Sequence, residues 1–543
     1  MKRPAPRRES PLLQQVRERR IIGRPEVHEL DSAHNRPENL ERALAMLRQA
    51  LGAEWVSDDP AIACGYARDQ SFLPAVYPDI VVLPASTREV AEVYRIANQC
   101  RVDVMPYGTG ISTVGATIPM FGGIECDLRR MDRILELDGR NMYARIQPGV
   151  NFAQLQAEAQ ALGLRVTNPS TSATAGVISN IASCNINSMC CKYGFGMDHI
   201  IEIEMVLPSG EILEAGPRAC GMDPAHVPGP GPDVASFFRY SCGTLGIVTE
   251  LTLRLYPEPA CDRKFFASYN EDRLDDIVDA FYAIARDNLA SELLHIQNTF
   301  FGNFLAETNQ EAEQLVGLLP RNNIMAIFGG ATQEEARLKA DLTRRMLEKL
   351  GSFEFLDPDA VDEMARARGL KPERQMKYLR ESVRVQRVKG SFLIGALVDH
   401  LDNFEGIERA MRRVTTQQIG SNAGVFRPDD AGIYFQPYHM GRMAYLEYDL
   451  YMDQSDPEDL VRMLLGYFRA TLTGMANGAL FAAGVGSLLK GLPLLDLALP
   501  MIMPGMSVYL DAVSALKMEL DPNNVSNRRW DYETGVMPKY MLF

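Results

Sequence analysis

The 543-residue chain predicts an α+β protein of two main domains, and three observations carry that reading. Residues 79 to 128 alternate β-rich runs with one amphipathic helix, the texture of an α/β unit. Residues 143 to 257 add strands with strict apolar–polar alternation around Gly- and Pro-marked turns. Beyond about residue 260, helical segments alternate with long strands, the pattern of a second α+β domain with an antiparallel sheet. The expected boundaries are an arm at 1–40, a first domain at 41–260, a second at 261–510 and a return to the first at 511–543. A chain of this length has ample material for two sizeable cores.

The elements follow in order. The opening MKRPAPRRESPLLQQVRERR is basic but has no continuous apolar run, so it reads as a solvated arm or a strap onto a partner rather than a signal peptide. DIVVLP is a strand, and Ser86-Thr-Arg-Glu89 is a capping box that opens a helix with Val90, Val93 and Ala97 on one face. VDVMP (102–106) is the next strand. YARIQPGV is a strand and turn, and FAQLQAEAQALGL is a helix ended by Gly163. HIIEIEMVLPSGEILEAG reads as a hairpin around Pro208-Ser-Gly210, and GIVTELTLRLYP (246–257) as a strand stopped by Pro257. In the second domain 274–286 and 334–350 are helical, and NIMAIFGG (323–330) and MAYLEYDLYM (443–452) are strands. DAVSALKMELDPNNVSNRRW is a helix halted by Asp521-Pro522.

Composition narrows the function. A formal net charge of -14 argues against a nucleic-acid partner, because phosphate binding needs concentrated Lys and Arg. Nine cysteines at this length, an odd number, suit a reducing, cytoplasmic compartment better than a disulfide scaffold. The apolar stretch from Thr471 to Leu510 is broken by Lys490, Pro493, Asp496, Pro500 and Pro504. It therefore reads as buried or partner-covered packing, with peripheral membrane contact as the alternative and a full span disfavoured.

The loop Pro106-Tyr-Gly-Thr-Gly-Ile-Ser-Thr113 sits directly after a strand. Gly108 and Gly110 allow positive φ and close approach of a ligand to the backbone, and the Thr109, Ser112 and Thr113 hydroxyls flank a row of N–H groups, an anion cradle. It is neither a Rossmann GxGxxG nor a P-loop.

Taken with PASTREVAEVYRIANQ, GGIECDLRRMDRILELD, ARIQPGVNFAQL, ATAGVISNIAS, KYGFGMDHIIEIEMVLPSGEILEAG, SCGTLGIVTELTLRLYPEP and LKMELDPNNVSN, this loop resembles the vanillyl-alcohol oxidase/p-cresol methylhydroxylase superfamily of FAD-linked enzymes. The series is nearest the D-lactate/glycolate dehydrogenase branch. The resemblance is specific over about residues 75 to 260 and loose over the 261–510 cap.

It implies a two-subdomain FAD-binding domain and an α+β cap. The pyrophosphate of FAD would lie on Pro106, Gly108, Thr109, Gly110, Ile111 and Ser112. Gly176, Ser179 and Asn180 would pass beside the flavin ring and ribityl chain, and Gly246, Ile247 and Val248 would meet the pyrimidine edge. The loop lacks the histidine to which some relatives attach flavin, so FAD is expected to be noncovalent or tethered to the cap.

Cys184, Cys190 and Cys191 lie where relatives frame the substrate cavity, among Asn185, Asn187 and Met189. Their spacing is neither a zinc nor an iron–sulfur pattern, so they read as small polarizable cavity or core residues. The histidine-rich metal site of the hydroxy-acid branch would fall at Phe435–Arg442 and Ala479–Gly486; Ala482-Ala483 replaces its acid and histidine, so no metal is expected. The same stretch predicts an apolar cavity roof.

The candidate catalytic residues are His439 as general base, with Tyr438 and Arg442 beside it, and Arg380 as a bidentate clamp for a substrate carboxylate. The expected activity is oxidation of a hydroxylated organic substrate, a 2-hydroxy acid among them, with electrons passed to a protein acceptor. Alternatives are a flavin-bearing electron-relay subunit and a phenolic or benzylic alcohol oxidase. The expected partners are a second copy, or an iron–sulfur, cytochrome or electron-transfer flavoprotein.

Overall fold

The computed structural model describes residues 34–69, 71, 75–112, 115–167, 173–182, 186–225, 229, 231–239, 241–269, 275–306, 308–351, 353–367, 391–414, 431–452, 456–481, 512 and 515–528. Its first unit is a four-stranded sheet in the order Val56–Ser57, Ile80–Val82, Ile124–Asp127, Val104–Tyr107. The last three strands run parallel. Val90, Val93, Tyr94 and Ala97 of the helix Thr87–Cys100 pack onto this sheet together with Ala43 and Leu47 of Pro37–Leu51. The expected capping box forms with a one-residue offset: Ser86 Oγ accepts from the Glu89 N–H, and Glu89 Oε2 accepts from the N–H of Ala85, just before the N-cap.

The second unit is a five-stranded antiparallel sheet, ordered Ile134–Asp138, Tyr143–Ile146, Ile247–Arg254, Ile200–Val206, Ile212–Ala215. The helices Phe152–Ala161 and Val177–Ala182 cover it. The strand expected over 246–257 breaks at Leu255: Ile247–Arg254 belongs to this sheet, and a separate strand Tyr256–Pro257, ending at Pro257 as expected, pairs with Leu164–Arg165. A proline tolerates this place because the added ladder is only two residues long.

The C-terminal segment returns to the first sheet. The Val104 N–H donates to Val525 O and the Asn527 N–H to Val104 O, both at 2.7 Å, so 525–527 runs alongside the strand that feeds the glycine loop.

The third unit is an eight-stranded antiparallel sheet: Glu354–Leu356, Cys261–Tyr269, Asn322–Gly330, Glu292–Gln297, Ala431–Tyr438, Met443–Met452, Ser391–Asp399, Leu480–Phe481. Alternation assigns its two faces. Leu293, Phe435, Leu446, Tyr448 and Leu450 pack against Phe281 of Asp275–Arg286, Leu347 of Gln333–Leu350, Phe404 of Phe404–Val414 and Tyr467 of Pro457–Ala476. Leu294, Ile296, Tyr434, Tyr438 and Tyr445 point the other way, toward Ile186 and Cys190 of the first domain. The described part of the apolar 471–510 stretch completes the helix Pro457–Ala476 and adds the strand Leu480–Phe481; residues 482–510 lie outside the described residues. Among the described residues no helix is long and apolar enough to cross a membrane.

Candidate active site

The glycine loop leaves the strand Val104–Tyr107 at the edge of the parallel sheet. Gly110 sits at φ +72°, and a Cβ there would strike the Tyr107 hydroxyl and lie 2.8 Å from Tyr107 Cζ. Only glycine takes this conformation without strain. The N–H groups of Gly108, Thr109, Gly110 and Ile111 donate to no protein acceptor among the described residues, which leaves a row of donors for an anion. The Gly176 N–H donates to Thr109 Oγ1 at 3.0 Å, which ties the loop to the start of Val177–Ala182. A Cβ on Gly108 would sit 3.5 Å from Ser179 Oγ. Pro106 through Ser112 thus stand with Gly176 and Ser179 at one place, and Asn180 follows on the same helix, its N–H bonded to Gly176 O. Beside the loop, the half-buried Asp69 carboxyl is pushed up by desolvation, although hydrogen bonds from Ser71 and Ser112 oppose the shift.

Gly246 (φ +128°) enters the strand Ile247–Arg254, with Ile247 opposite Val206 and Val248 opposite Met205. A Cβ on Gly246 would run into the Val206 carbonyl. The turn before it reaches the glycine loop: a Cβ on Gly243 would collide with the Pro106 ring. The C-terminal return braces this turn. Lys517 Nζ donates to Thr244 O and Ser526 O, both at 2.8 Å, and pairs with Asp521. Ser526 Oγ donates to Gly243 O, and Asn527 Nδ2 to Cys242 O. The LKMELDPNNVSN stretch thereby gains a concrete task, which its sequence alone did not assign: it fixes two loops at once.

The donors and glycine clearances fit a pyrophosphate, and comparison with known proteins agrees. Residues 78–216 match the FAD binding domain model. The chain carries an FAD-binding domain. FAD is therefore its cofactor, as the motifs lead one to expect. Over 249 residues the chain is 30% identical to the glycolate oxidase subunit GlcD of Bacillus subtilis, which covers 46% of this chain and 50% of that one. It is 26% identical over 290 residues to a D-lactate dehydrogenase of Anaerostipes hadrus, covering 52% and 58%. The chain thus spans about half the length of the curated relatives it matches. A solved p-cresol methylhydroxylase with substrate bound superposes with a TM-score of 0.78 at 19% identity, over 91% of this chain and 97% of that chain. The fold is shared along nearly the whole length, cap included, as the α+β expectation requires.

From the FAD-binding domain the chain passes under the cap through residues 186–195. Asn187 is buried; its Oδ1 accepts from the Met189 N–H and its Nδ2 donates to Gly194 O. It caps a local turn, and Met189 beside it is buried too. Cys190 and Cys191 are free thiols in the core, Cys190 against the tyrosine face and Cys191 on the helix side. Burial pushes both thiols up, Cys191 to about 12, so neither is a ready thiolate. The core reading of these two cysteines agrees with the structure; Cys184 and Asn185 lie outside the described residues.

Tyr438, His439 and Arg442 come together in the hairpin between Ala431–Tyr438 and Met443–Met452, where His439, Met440 and Gly441 all have positive φ. The His439 and Met440 N–H groups donate to the Cys190 and Cys191 carbonyls, pinning the hairpin to the short helix Cys190–Tyr193. His439 Nε2 donates to Asp198 Oδ2 at 2.8 Å, and both side chains are a little over a third exposed. Although burial opposes it, His439 and the Phe195 N–H hold the Asp198 carboxyl below its usual range. Tyr438 is buried and packs on Phe195. Arg442 is exposed, and Arg380 lies outside the described residues.

Ala482 and Ala483, and with them the apolar roof expected from their stretch, lie outside the described residues; the described cap face is polar. It carries Tyr434, Gln436, Tyr445, Glu447, Asp449 and Tyr451, all buried. Tyr445 donates to Glu447 Oε2 at 2.7 Å and Tyr434 to Gln436 Oε1 at 2.7 Å. Gln436 Nε2 donates to the Asn187 and Ser188 carbonyls. The signal was present in MAYLEYDLYM, where Tyr, Glu, Asp and Tyr recur at every second position. A strand that alternates polar with apolar normally turns its polar set to water; here that set is roofed over.

Proposed function

We propose that this protein is an FAD-dependent dehydrogenase that oxidises a hydroxylated organic substrate lying between the flavin and the tyrosine-lined face of the cap sheet. When bound, FAD supplies a hydride acceptor. The observation that carries the reading is the direct route from the FAD-binding domain to that face. The helix Val177–Ala182 leads into residues 186–190, and Gln436 of the cap sheet hydrogen-bonds the Asn187 and Ser188 carbonyls. Pro106 through Ser112 would hold the pyrophosphate; Gly176, Ser179 and Asn180 would flank the ring and ribityl chain, and Gly246 to Val248 the pyrimidine edge.

The oxidation releases a proton from the substrate hydroxyl, and the chain must receive it. His439 is one candidate, since the Asp198 carboxylate fixes its tautomer and ring orientation. Arg380 would clamp a substrate carboxylate if the substrate is a 2-hydroxy acid. That class is supported by relatives named glycolate oxidase subunit and D-lactate dehydrogenase. A phenolic or benzylic alcohol is supported by the p-cresol methylhydroxylase fold and by the aromatic cap face. Electrons would then leave to a protein acceptor.

The test is anaerobic mixing of the purified flavoprotein with a panel of 2-hydroxy acids and benzylic alcohols, followed by absorbance. Bleaching of the flavin by one class assigns the substrate. Flavin that stays oxidised with every member, yet is reduced by dithionite, would replace this reading with that of an electron-relay subunit.

A further inference from the structure

Two carboxyl groups on the cap sheet are buried side by side with no cation among the described residues to match them. Glu447 and Asp449 stand two apart on the strand Met443–Met452, so both project from the tyrosine-lined face. They are 5% and 2% exposed. Buried acids are normally matched by Arg or Lys, because an unpaired buried charge costs several kcal/mol. Here the partners are different. Glu447 Oε2 accepts from Tyr445 OH at 2.7 Å, Glu447 and Asp449 hydrogen-bond each other, and Asp449 Oδ1 meets no donor among the described residues.

The neighbours across the sheet are Tyr434 and Gly432 on one side and Ala396 and Ile394 on the other. Among the described residues, the titratable groups facing the pair are Tyr445 and Tyr451 on its own strand and Tyr434 on the next, with Asn303 of the helix Asn298–Leu305 against Tyr451. No cation among the described residues offsets either charge. Two carboxyl groups can hydrogen-bond each other only with a proton between them; desolvation raises both acids and the Glu447 charge raises Asp449 further, so that proton belongs on Asp449. Such a pair stabilises nothing that an Asn–Gln pair would not stabilise better. What it provides is a buried acceptor for one more proton.

We propose that Tyr445, Glu447 and Asp449 form the proton relay of this enzyme. The Tyr445 ring belongs to the same cluster as Ile186, Cys190, Tyr434 and Tyr438, which places its hydroxyl on the side of the sheet that meets the FAD-binding domain. The inference rests on the dehydrogenase reading above. Bound FAD would supply the acceptor for the hydride of the substrate C–H bond; the substrate O–H proton would pass to the Tyr445 oxygen and the Tyr445 proton to Glu447. The substrate becomes a carbonyl compound, Tyr445 ends as it began, and the pair goes from one proton to two. Asp449 serves this by holding Glu447 in hydrogen-bonding geometry, while burial raises the proton affinity of Glu447 against the hydrogen bonds from Tyr445 and Asp449.

Two readouts test the relay, using the FAD-loaded full chain. The first needs no substrate: infrared difference spectra of wild type against Asp449→Asn and Glu447→Gln at pH 8, with FAD content as the check on folding. A protonated-carboxyl C=O band present in wild type and lost in the variants is expected. Its absence from wild type would overturn the proposal.

The second is anaerobic flavin reduction by D-lactate and by 4-hydroxybenzyl alcohol across pH. Tyr445→Phe and Glu447→Gln should slow reduction by roughly 10² to 10⁴-fold, the range for a lost proton acceptor, and flatten its pH dependence. His439→Ala should keep the wild-type pH profile whatever its rate. A profile abolished by His439→Ala and retained by Glu447→Gln would sink the relay and leave the dehydrogenase reading intact. Wild-type flavin that neither probe reduces counts against that reading, and the infrared result then decides the relay alone.

Discussion

Gly110→Ala is the substitution whose cost can be worked most directly. Gly110 has φ +72°, a region that costs an L-residue roughly 1–2 kcal/mol. The new methyl group would also collide with the Tyr107 hydroxyl, so the Tyr107 ring must swing. That ring packs edge-on against Tyr66 with centroids 4.9 Å apart, a contact worth about 0.5–1.5 kcal/mol. Together these oppose the native loop by about 1.5–3.5 kcal/mol. If FAD binds only that loop, its affinity should fall about 10- to 300-fold. Gly108→Ala is the paired control: a Cβ there would make only ordinary contact, 3.5 Å from Ser179 Oγ, so the FAD-free protein should barely notice it. Any loss of FAD by Gly108→Ala therefore reports close approach of the ligand itself. The assay is titration of FAD-stripped protein with FAD, read by flavin fluorescence, beside thermal melts of the stripped forms. Wild-type FAD affinity in Gly110→Ala would refute the assignment of this loop.

Three further outcomes are expected. Lys517→Met leaves Asp521 as an uncompensated buried charge and frees the 241–246 turn, so it should cost about 3–5 kcal/mol and weaken FAD retention; equilibrium denaturation and flavin content measure both. His199 is buried with its proton affinity lowered to about 4, so the unfolded chain binds more protons between pH 6.5 and 4 and stability must fall as pH drops through that window. The loss should reach about 3 kcal/mol in wild type and vanish from the pH dependence of His199→Asn, by urea melts at each pH. Acid precipitation should release intact FAD, since the loop at 106–112 holds no histidine to tether it; yellow colour remaining in the pellet would show a covalent link through another residue.

The parts of this molecule that could be read from sequence are those in which local chemistry decides the outcome. Ser86 and Glu89 form their capping box because both partners lie within four residues, and Gly110 takes positive φ because the loop turns there. What could not be read depends on contacts made across hundreds of residues. Lys517 looks like any helix lysine until its ammonium meets the Thr244 carbonyl, 273 positions away. Asp198 looks like a loop acid until the hairpin at His439 reaches it, 241 positions on. The polar alternation of Tyr445, Glu447 and Asp449 was visible, but a two-residue period says only that these side chains share a face. Whether that face meets water or another domain is settled by tertiary packing, and here the packing roofs it over.

That packing also bears on how the substrate is gripped. The cap sheet is joined to the FAD-binding domain at three separated places. The His439 and Met440 N–H groups bond the Cys190 and Cys191 carbonyls, Gln436 bonds the Asn187 and Ser188 carbonyls, and buried Arg165 pairs with Glu292. Separating the domains would part the Arg165 guanidinium from the Glu292 carboxylate and would break four hydrogen bonds to backbone carbonyls. Each such loss is worth roughly 1 kcal/mol or more, and they would have to be lost together. The tyrosine-lined face is therefore held in place before any substrate arrives. Rigid placement suits a reaction in which a hydride and a proton leave adjacent atoms, because both acceptors must already stand in position when the bonds break.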